Sequence, residues 1–323
     1  MLVAAVVGVA RGVQWVVSDL GSTTTAPAAD PHGKPIPIVI PTGADASEIG
    51  AILEEQGIVE DGGRFREYAK DAGEGSEFKA GTYAMKAGTG YDALIHALDS
   101  GPVAVVKTLV VPEGYRISEI EDRLGSVGIS KKAYARVVRA AAPPPGYGHH
   151  VNMEGFMFPA TYSIRPGETP AALVAQQLAA FRDNVAKVDM SYAKSKNLTP
   201  YDVLTIASMI EREARAPGDR AKVAAVIYNR LHQGMNLGID ATILYHLGSW
   251  SATIHQSDLD DPEPYNTRKN PGLPPTPICN PGLASIEAAA HPAHVNYLYY
   301  VAVPGQDAQY FTASYEDFKS HGG

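Results

Sequence analysis

The sequence predicts an α+β fold in two parts, on three observations: a strand–turn–helix pattern that occurs twice, a proline-rich break after the second copy, and a helix-rich remainder closed by a short strand pair. Pro41, Gly43, Ser47, Glu48, Ile49, Leu53, Gly57 and Ile58 recur as Pro112, Gly114, Ser118, Glu119, Ile120, Leu124, Gly128 and Ile129, every pair separated by the same 71 positions (41 to 112). Each copy reads as a strand (Ile36–Ile40; 105–111), a Pro-x-Gly turn and an amphipathic helix closed by glycine. A further short helix follows each copy, at 64–70 and 131–141; between the copies 78–83 is expected as strand and turn, and 91–98 as helix. Two copies are too few for a solenoid, so 38–142 is expected to be a duplicated α+β module, of the kind that serves as a scaffold or a ligand-binding domain. Residues 140–150 carry three consecutive prolines and are expected to form the boundary before a second α+β domain at 151–323.

Composition narrows the classes. A chain of 323 residues, 45% hydrophobic and 19% charged, can fill two cores and is not a disordered protein. A net charge of −8 and a pI near 5.7 exclude the broad basic face of a nucleic-acid binder. The single cysteine, Cys279, excludes an internal disulfide and a cysteine-based metal site. Residues 1–17 are mostly apolar but broken by Arg11 and Gln14, short of the roughly 20 residues a span requires. With no basic start and no A-x-A cleavage site, 1–21 is expected to be part of a membrane anchor that begins upstream. Residues 22–37, rich in Ser, Thr, Ala and Pro, are expected to be a flexible linker.

The second part is organised around a helix at 199–215. Thr199-Pro200-Tyr201-Asp202 is a capping box with proline at the first helical position. At about 100° per residue, Val203, Ala207, Ile210 and Ala214 centre an apolar stripe that Leu204, Ile206 and Met209 widen. Arg212 projects away from it, whereas Glu211 projects into it. A carboxylate there requires either a salt bridge to a neighbouring element or a role as a general acid that keeps its proton. Glu213 lies about 200° round the helix from Glu211, so the two cannot form a pair on one face; a pairing with Arg220 or Arg230 would account for it. Other expected elements are helices at Pro170–Val185, after Asp219 and at 241–247 capped by Asp240, a stiff loop at 258–281 with seven prolines, a helix at 285–291, strands at 297–303 and Gln309–Thr312, and a last helix capped by Ser314. If the chemistry acts on sugars, a second acid has to come from elsewhere, with Asp240 or Glu154 as candidates, or one acid serves alone. Phosphate loops, dinucleotide fingerprints and G-x-S-x-G elbows are absent from the sequence, and neither His149-His150 nor His291-Pro292-Ala293-His294 has the partners of a metal site.

The segments Glu154-Gly155-Phe156-Met157-Phe158-Pro159, Ala207-Ser208-Met209-Ile210-Glu211-Arg212-Glu213, Val223-Ala224-Ala225-Val226-Ile227-Tyr228-Asn229-Arg230-Leu231, Asp240-Ala241-Thr242, Tyr265-Asn266-Thr267, Gly272-Leu273-Pro274-Pro275 and Ala288-Ala289-Ala290-His291-Pro292-Ala293 stand in the order of a known family. From Glu154 to its C-terminus the chain resembles the endolytic murein transglycosylases of the MltG (YceG-like) type, departing from the pattern at Ala241, where the family has proline. The repeated module resembles, more loosely, the family's membrane-proximal part with its LysM-like subdomain. The resemblance implies endolytic cleavage of the bond between N-acetylmuramic acid and N-acetylglucosamine in nascent peptidoglycan strands, giving 1,6-anhydro ends and terminating elongation. It implies Glu211 as the catalytic residue, with no metal and no cofactor. As hypothesised supports, Glu213, Asp240, Tyr265, Asn266 and Thr267 would hold the sugar's hydroxyl and N-acetyl groups. Implied partners are glycan strands, peptidoglycan synthases and the bacterial plasma membrane, crossed once, with the catalytic domain outside the cytoplasm. The alternatives are a non-catalytic peptidoglycan-binding scaffold and a hydrolytic muramidase.

Overall fold

The computed structural model describes residues 34–72, 78–102, 106–148 and 152–322. The chain is α+β and divides into two compact units, Met1–Ala104 and Val105–Gly323. The anchor expected at 1–21 and most of the linker at 22–37 lie outside the described residues, as do His149 and His150; Ile36 and Pro37 already belong to a strand. Among the described residues no helix is long and apolar enough to cross a membrane.

In the first unit, β1 (Ile36–Ile40) pairs antiparallel with β2 (Gly81–Met85), with Ile36 opposite Met85. Between them run α1 (Ala46–Glu55) and α2 (Gly62–Asp71), and α3 (Tyr91–Ser100) follows. Alternation along β1 buries Ile38 and Ile40 against Leu53, Phe65, Leu94 and Leu98. Asp45 caps α1 in a full capping box with Glu48.

The second unit opens with the same order. Strand β3 (Lys107–Val111), helices α4 (Ile117–Val127) and α5 (Lys131–Ala140), and strand β4 (Ala160–Ile164) follow one another, and β3 pairs antiparallel with β4. This pairing bears on the expected boundary at 140–150: the proline run connects α5 to β4 inside one unit, and the division lies at Ala104/Val105 instead. The core is continuous across the prolines. The Tyr134 hydroxyl on α5 donates to Gln177 Oε1 at 2.7 Å, and Tyr147, Phe156 and Phe181 meet edge to face.

Helices α6 (Pro170–Val185), α7 (Ser191–Ser195), α8 (Pro200–Glu213), α9 (Arg220–His232), α10 (Asp240–His246), α11 (Gln256–Asp260) and α12 (Leu283–Ala290) complete the body. Strands β5 (Tyr299–Ala302) and β6 (Gln309–Thr312) form a hairpin, and α13 (Tyr315–Ser320), capped by Ser314, closes the chain. The predicted stripe on α8 is too narrow a description. Tyr201 and every residue from Val203 to Ile210 are buried, so the helix runs through the core and only its last turn emerges. Its start is the expected capping box of Thr199 and Asp202 behind Pro200.

Candidate active site

Glu211 sits where α8 leaves the core. It is half-buried, and the backbone N–H of Gly282, the cap of α12, donates to its Oε2 at 3.0 Å. Among the described residues Oε1 carries no hydrogen bond, so one oxygen of the carboxyl is fixed by the fold and the other is not. Gly282 also faces a second carboxyl: a Cβ at Gly282 would overlap Glu113, on the Pro112-Glu113-Gly114 turn that follows β3. That turn is bolted to the loop before α12, because Gly114 N donates to Asn280 O at 2.9 Å and Asn280 N donates to Tyr115 O at 2.8 Å. At Gly114, with φ +77, a Cβ would lie 3.2 Å from Arg212 Nη1 and 3.5 Å from Glu211 Cγ. The second repeat copy therefore forms one wall of the site, which the sequence placed wholly in the C-terminal domain.

The rest of that wall is cationic and aromatic. The guanidiniums of Arg116 and Arg212 lie 4.9 and 4.0 Å from the Trp250 ring centroid. The Trp250 indole donates to Glu119 Oε2 at 3.0 Å, and Arg116 pairs with the same oxygen at 3.4 Å. Arg212 is thus exposed, as expected, but stacked rather than free. Glu113, Arg116, Trp250 and Asn280 were not singled out in the sequence, because each reaches Glu211 only through long-range packing.

Beneath this surface lies Glu154, 5% exposed. Its Oε1 accepts from Ile117 N, at the start of α4, and from Asn280 Nδ2, both at 3.0 Å, while Tyr245 Oη lies 3.4 Å from its Oε2. Burial pushes this carboxyl up to about 8, against the pull of those hydrogen bonds and of Arg116. Glu154 is therefore a tie between the repeat copy and the helical body, not the solvent-reachable second acid considered from the sequence. In the unfolded chain it loses its proton near 4.5, whereas the folded chain keeps it to about 8. Between those values the native state holds the extra proton. Its stabilising contribution is fully present below the lower value and declines as pH rises toward the upper one. At about 1.4 kcal/mol per pH unit, the decline amounts to on the order of 5 kcal/mol. Denaturant midpoints measured from pH 5 to 8 should fall in the wild type and lie nearly flat in Glu154→Gln; equal slopes would refute this account.

The five hypothesised supports are placed differently from the expectation. Glu213 points away from Glu211 and accepts from the Tyr300 hydroxyl at 2.9 Å, and burial pushes its carboxyl up. Neither arginine expected beside it pairs with it: Arg230 donates to the carbonyls of Leu298 and Leu237, and Arg220 to Ser285 Oγ. Asp240 is the first residue of α10 rather than its cap, and Arg268 donates to its Oδ1 through Nε at 2.8 Å and Nη2 at 2.7 Å. Asn266 and Thr267 are buried and bonded within the fold, Asn266 Nδ2 to the carbonyls of Asp258, Leu259 and Asp261, and Thr267 Oγ1 to Ile239 N. They stiffen the proline-rich loop, their side chains buried within it. Tyr265 is half-buried, bonded to Thr276 Oγ1 at 2.8 Å and packed on Tyr245 at 5.0 Å. Among the described residues none of the five bonds to Glu211, so the arrangement around the acid comes from the repeat turn and the α12 cap.

Comparison with known proteins adds four findings. The sequence profile of the YceG-like family matches residues 38–321. An endolytic murein transglycosylase of Bacillus subtilis is 32% identical over 298 residues, covering 87% of this chain and 82% of the relative. One of Streptococcus pneumoniae is 31% identical over 95% of this chain, which spans 60% of that relative's length. The crystal structure of a yceG-like protein from Listeria monocytogenes superimposes with a TM-score of 0.58 at 30% identity, covering 88% of this chain and 98% of that one.

Proposed function

The chain belongs to the YceG-like family, and from that premise we propose that it is an endolytic murein transglycosylase whose single acid is Glu211. The observation that carries the assignment of the acid is the exposed end of α8. There a half-buried glutamate is held by one backbone N–H through one oxygen and keeps the other free.

The Glu211 carboxyl donates its proton to the glycosidic oxygen as the bond between N-acetylmuramic acid and N-acetylglucosamine breaks through an oxocarbenium-like state. The resulting carboxylate takes the proton of the muramic sugar's own 6-hydroxyl as that oxygen closes the 1,6-anhydro ring. The acid ends as it began and no water is consumed, so a second carboxylate to activate water is not required. The Gly282 N–H, at the start of α12, favours the charged form between the two steps.

The remaining parts of the proposal are coarser. Residues 1–21 and 22–37 are read as anchor and linker of an enzyme crossing the bacterial plasma membrane once, with its site outside the cytoplasm. The two strand–helix–helix–strand copies, 36–85 and 107–164, are read as a duplicated, LysM-like element, with the helical body that follows the second copy supplying the acid. Glycan strands are the substrate, and peptidoglycan synthases the expected company.

Digestion of purified glycan strands followed by mass spectrometry tests the reaction. Anhydro-ended fragments from within the strand are expected. Fragments heavier by one water would make the enzyme a hydrolytic muramidase, and intact strands would reduce it to a binding scaffold.

A further inference from the structure

The second repeat copy departs from the first at the start of its helix. Asp45, which caps α1 through its side chain, is matched at the 71-position offset by Arg116 (45 to 116). An arginine has no acceptor to offer a helix start, and the buried Glu154 takes over by accepting from Ile117 N. Arg116 holds Trp250 instead. Its guanidinium lies 4.9 Å from the ring centroid and pairs with Glu119 Oε2, the oxygen that also accepts the indole N–H. Within this frame the cation, the carboxylate and the indole donor all have partners.

Arg212 does not. It follows Glu211 on α8, is exposed, and stands 4.0 Å from the same ring centroid. A Cβ at Gly114 would lie 3.2 Å from its Nη1, whereas at Gly43, the same place in the first copy, a Cβ would meet nothing within 4 Å. Among the described residues Arg212 makes no hydrogen bond and no ion pair, not even with the neighbouring Glu211. An indole face holds a guanidinium without neutralising it, so all five N–H donors of the fork stay available. Stacking has also removed rotamer freedom that a ligand would otherwise have to remove. The result is an oriented, unpaired cation next to the acid.

We propose that Arg212 is a specificity-determining residue of the same site, which binds a carboxylate on the lactyl branch of the muramic sugar while Glu211 acts on that sugar's glycosidic bond. This rests on the transglycosylase reading. Of the two sugars flanking the bond, only the muramic one carries an acidic substituent, a lactyl ether that ends in a carboxyl. A planar carboxylate meets a guanidinium fork through two parallel hydrogen bonds. In strands that bear stem peptides the lactyl carboxyl is an amide, and the nearest carboxylates belong to the peptide that extends the same branch. The fork fits either source.

Binding and cleavage test this separately. In Glu211→Gln protein, calorimetry compares peptide-stripped strands with peptide-bearing strands, each before and after amidation of their carboxyls, with and without Arg212→Gln. Peptide-stripped strands are expected to lose about tenfold in affinity on amidation or on Arg212→Gln, and amidated strands to be indifferent to the substitution. With Glu211 intact, Arg212→Gln should raise KM about tenfold at nearly constant kcat, and Arg212→Lys, which keeps the charge but not the fork, should restore part of it. A response confined to peptide-bearing strands would assign the carboxylate to the peptide. An equal loss on amidated and unamidated strands overturns the proposal, as does no loss on any strand. A fall in kcat alone also overturns it, because Arg212 would then support Glu211 rather than touch the substrate. Failure of the underlying reading is a separate result: the wild-type protein would release no anhydro ends from any of these strands, while the binding comparison still reports on Arg212.

Discussion

Glu211→Gln is expected to lower strand cleavage on the order of 10³-fold while leaving the fold intact. The amide can still accept the Gly282 N–H at Oε1, and among the described residues the half-buried side chain makes no ion pair. It has no acidic proton to donate and cannot take one back from the 6-hydroxyl, so both halves of the reaction are removed together. Anhydro ends released per enzyme should fall near background, with an unchanged denaturant midpoint. Glu213→Gln makes the contrast. It keeps an acceptor for the Tyr300 hydroxyl and lies on the far side of the helix end from Gly282, so it should retain most of the activity. If Glu213→Gln were the dead enzyme and Glu211→Gln the live one, the acid would be Glu213.

Asn280→Ala is expected to be the most damaging single change to stability. The side chain is fully buried, and both its ends are used twice. Oδ1 accepts from Gly155 N at 3.0 Å and Met157 N at 2.8 Å, while Nδ2 donates to Tyr115 O at 2.8 Å and Glu154 Oε1 at 3.0 Å. The truncation strands the Gly155 and Met157 N–H donors where water does not reach, at about 1–3 kcal/mol each before relaxation, while Tyr115 O keeps the Asn280 backbone N–H and Glu154 Oε1 keeps Ile117 N. A loss of roughly 2–6 kcal/mol follows, read as a lower urea midpoint at unchanged slope. Relaxation has little room: Gly155, at φ +94, is so crowded that a Cβ would meet Pro277 at 2.9 Å and Leu204 at 3.0 Å. Asn280→Asp would keep both acceptor bonds but set a carboxylate against the buried Glu154 carboxyl and remove the side-chain donor to Tyr115 O, which keeps only the backbone N–H. It should recover only part of the loss. A midpoint within about 1 kcal/mol of wild type for Asn280→Ala would show that the network is not what joins the repeat turn to the body.

What the sequence made legible was local. The helix Pro170–Val185 lay in one continuous stretch of chain, and the box at Thr199 and Asp202 marked α8 because caps act within one turn. The repeat, the terminal hairpin and the separation of Glu211 from Glu213 likewise depend on short-range periodicity. The misread features all depend on contacts between distant positions. Three prolines in a row carry the composition of a linker, and only the pairing of β3 with β4 shows that they lie within one unit. Glu211 was expected inside an apolar arc, but the helix is buried all round and its last turn is not. Asn266 and Thr267 stand in a motif beside Tyr265, and no local rule distinguishes a loop held by its own amides from one that holds a sugar. Glu113 stands 98 positions before Glu211 (113 to 211), and only the α12 cap brings the two to one residue.

The β3–β4 ribbon also defines what can be inherited, or cut, as a working piece. A chain shortened at the proline run would lose β3 and α4, the backbone partners of Asn280, the cap contact of Glu154 and one wall around the acid. What would remain is a helical remnant that keeps Glu211 without the surroundings that orient it. The compact unit that holds Glu211 spans Val105–Gly323, so the second repeat copy stays with the acid wherever that unit goes.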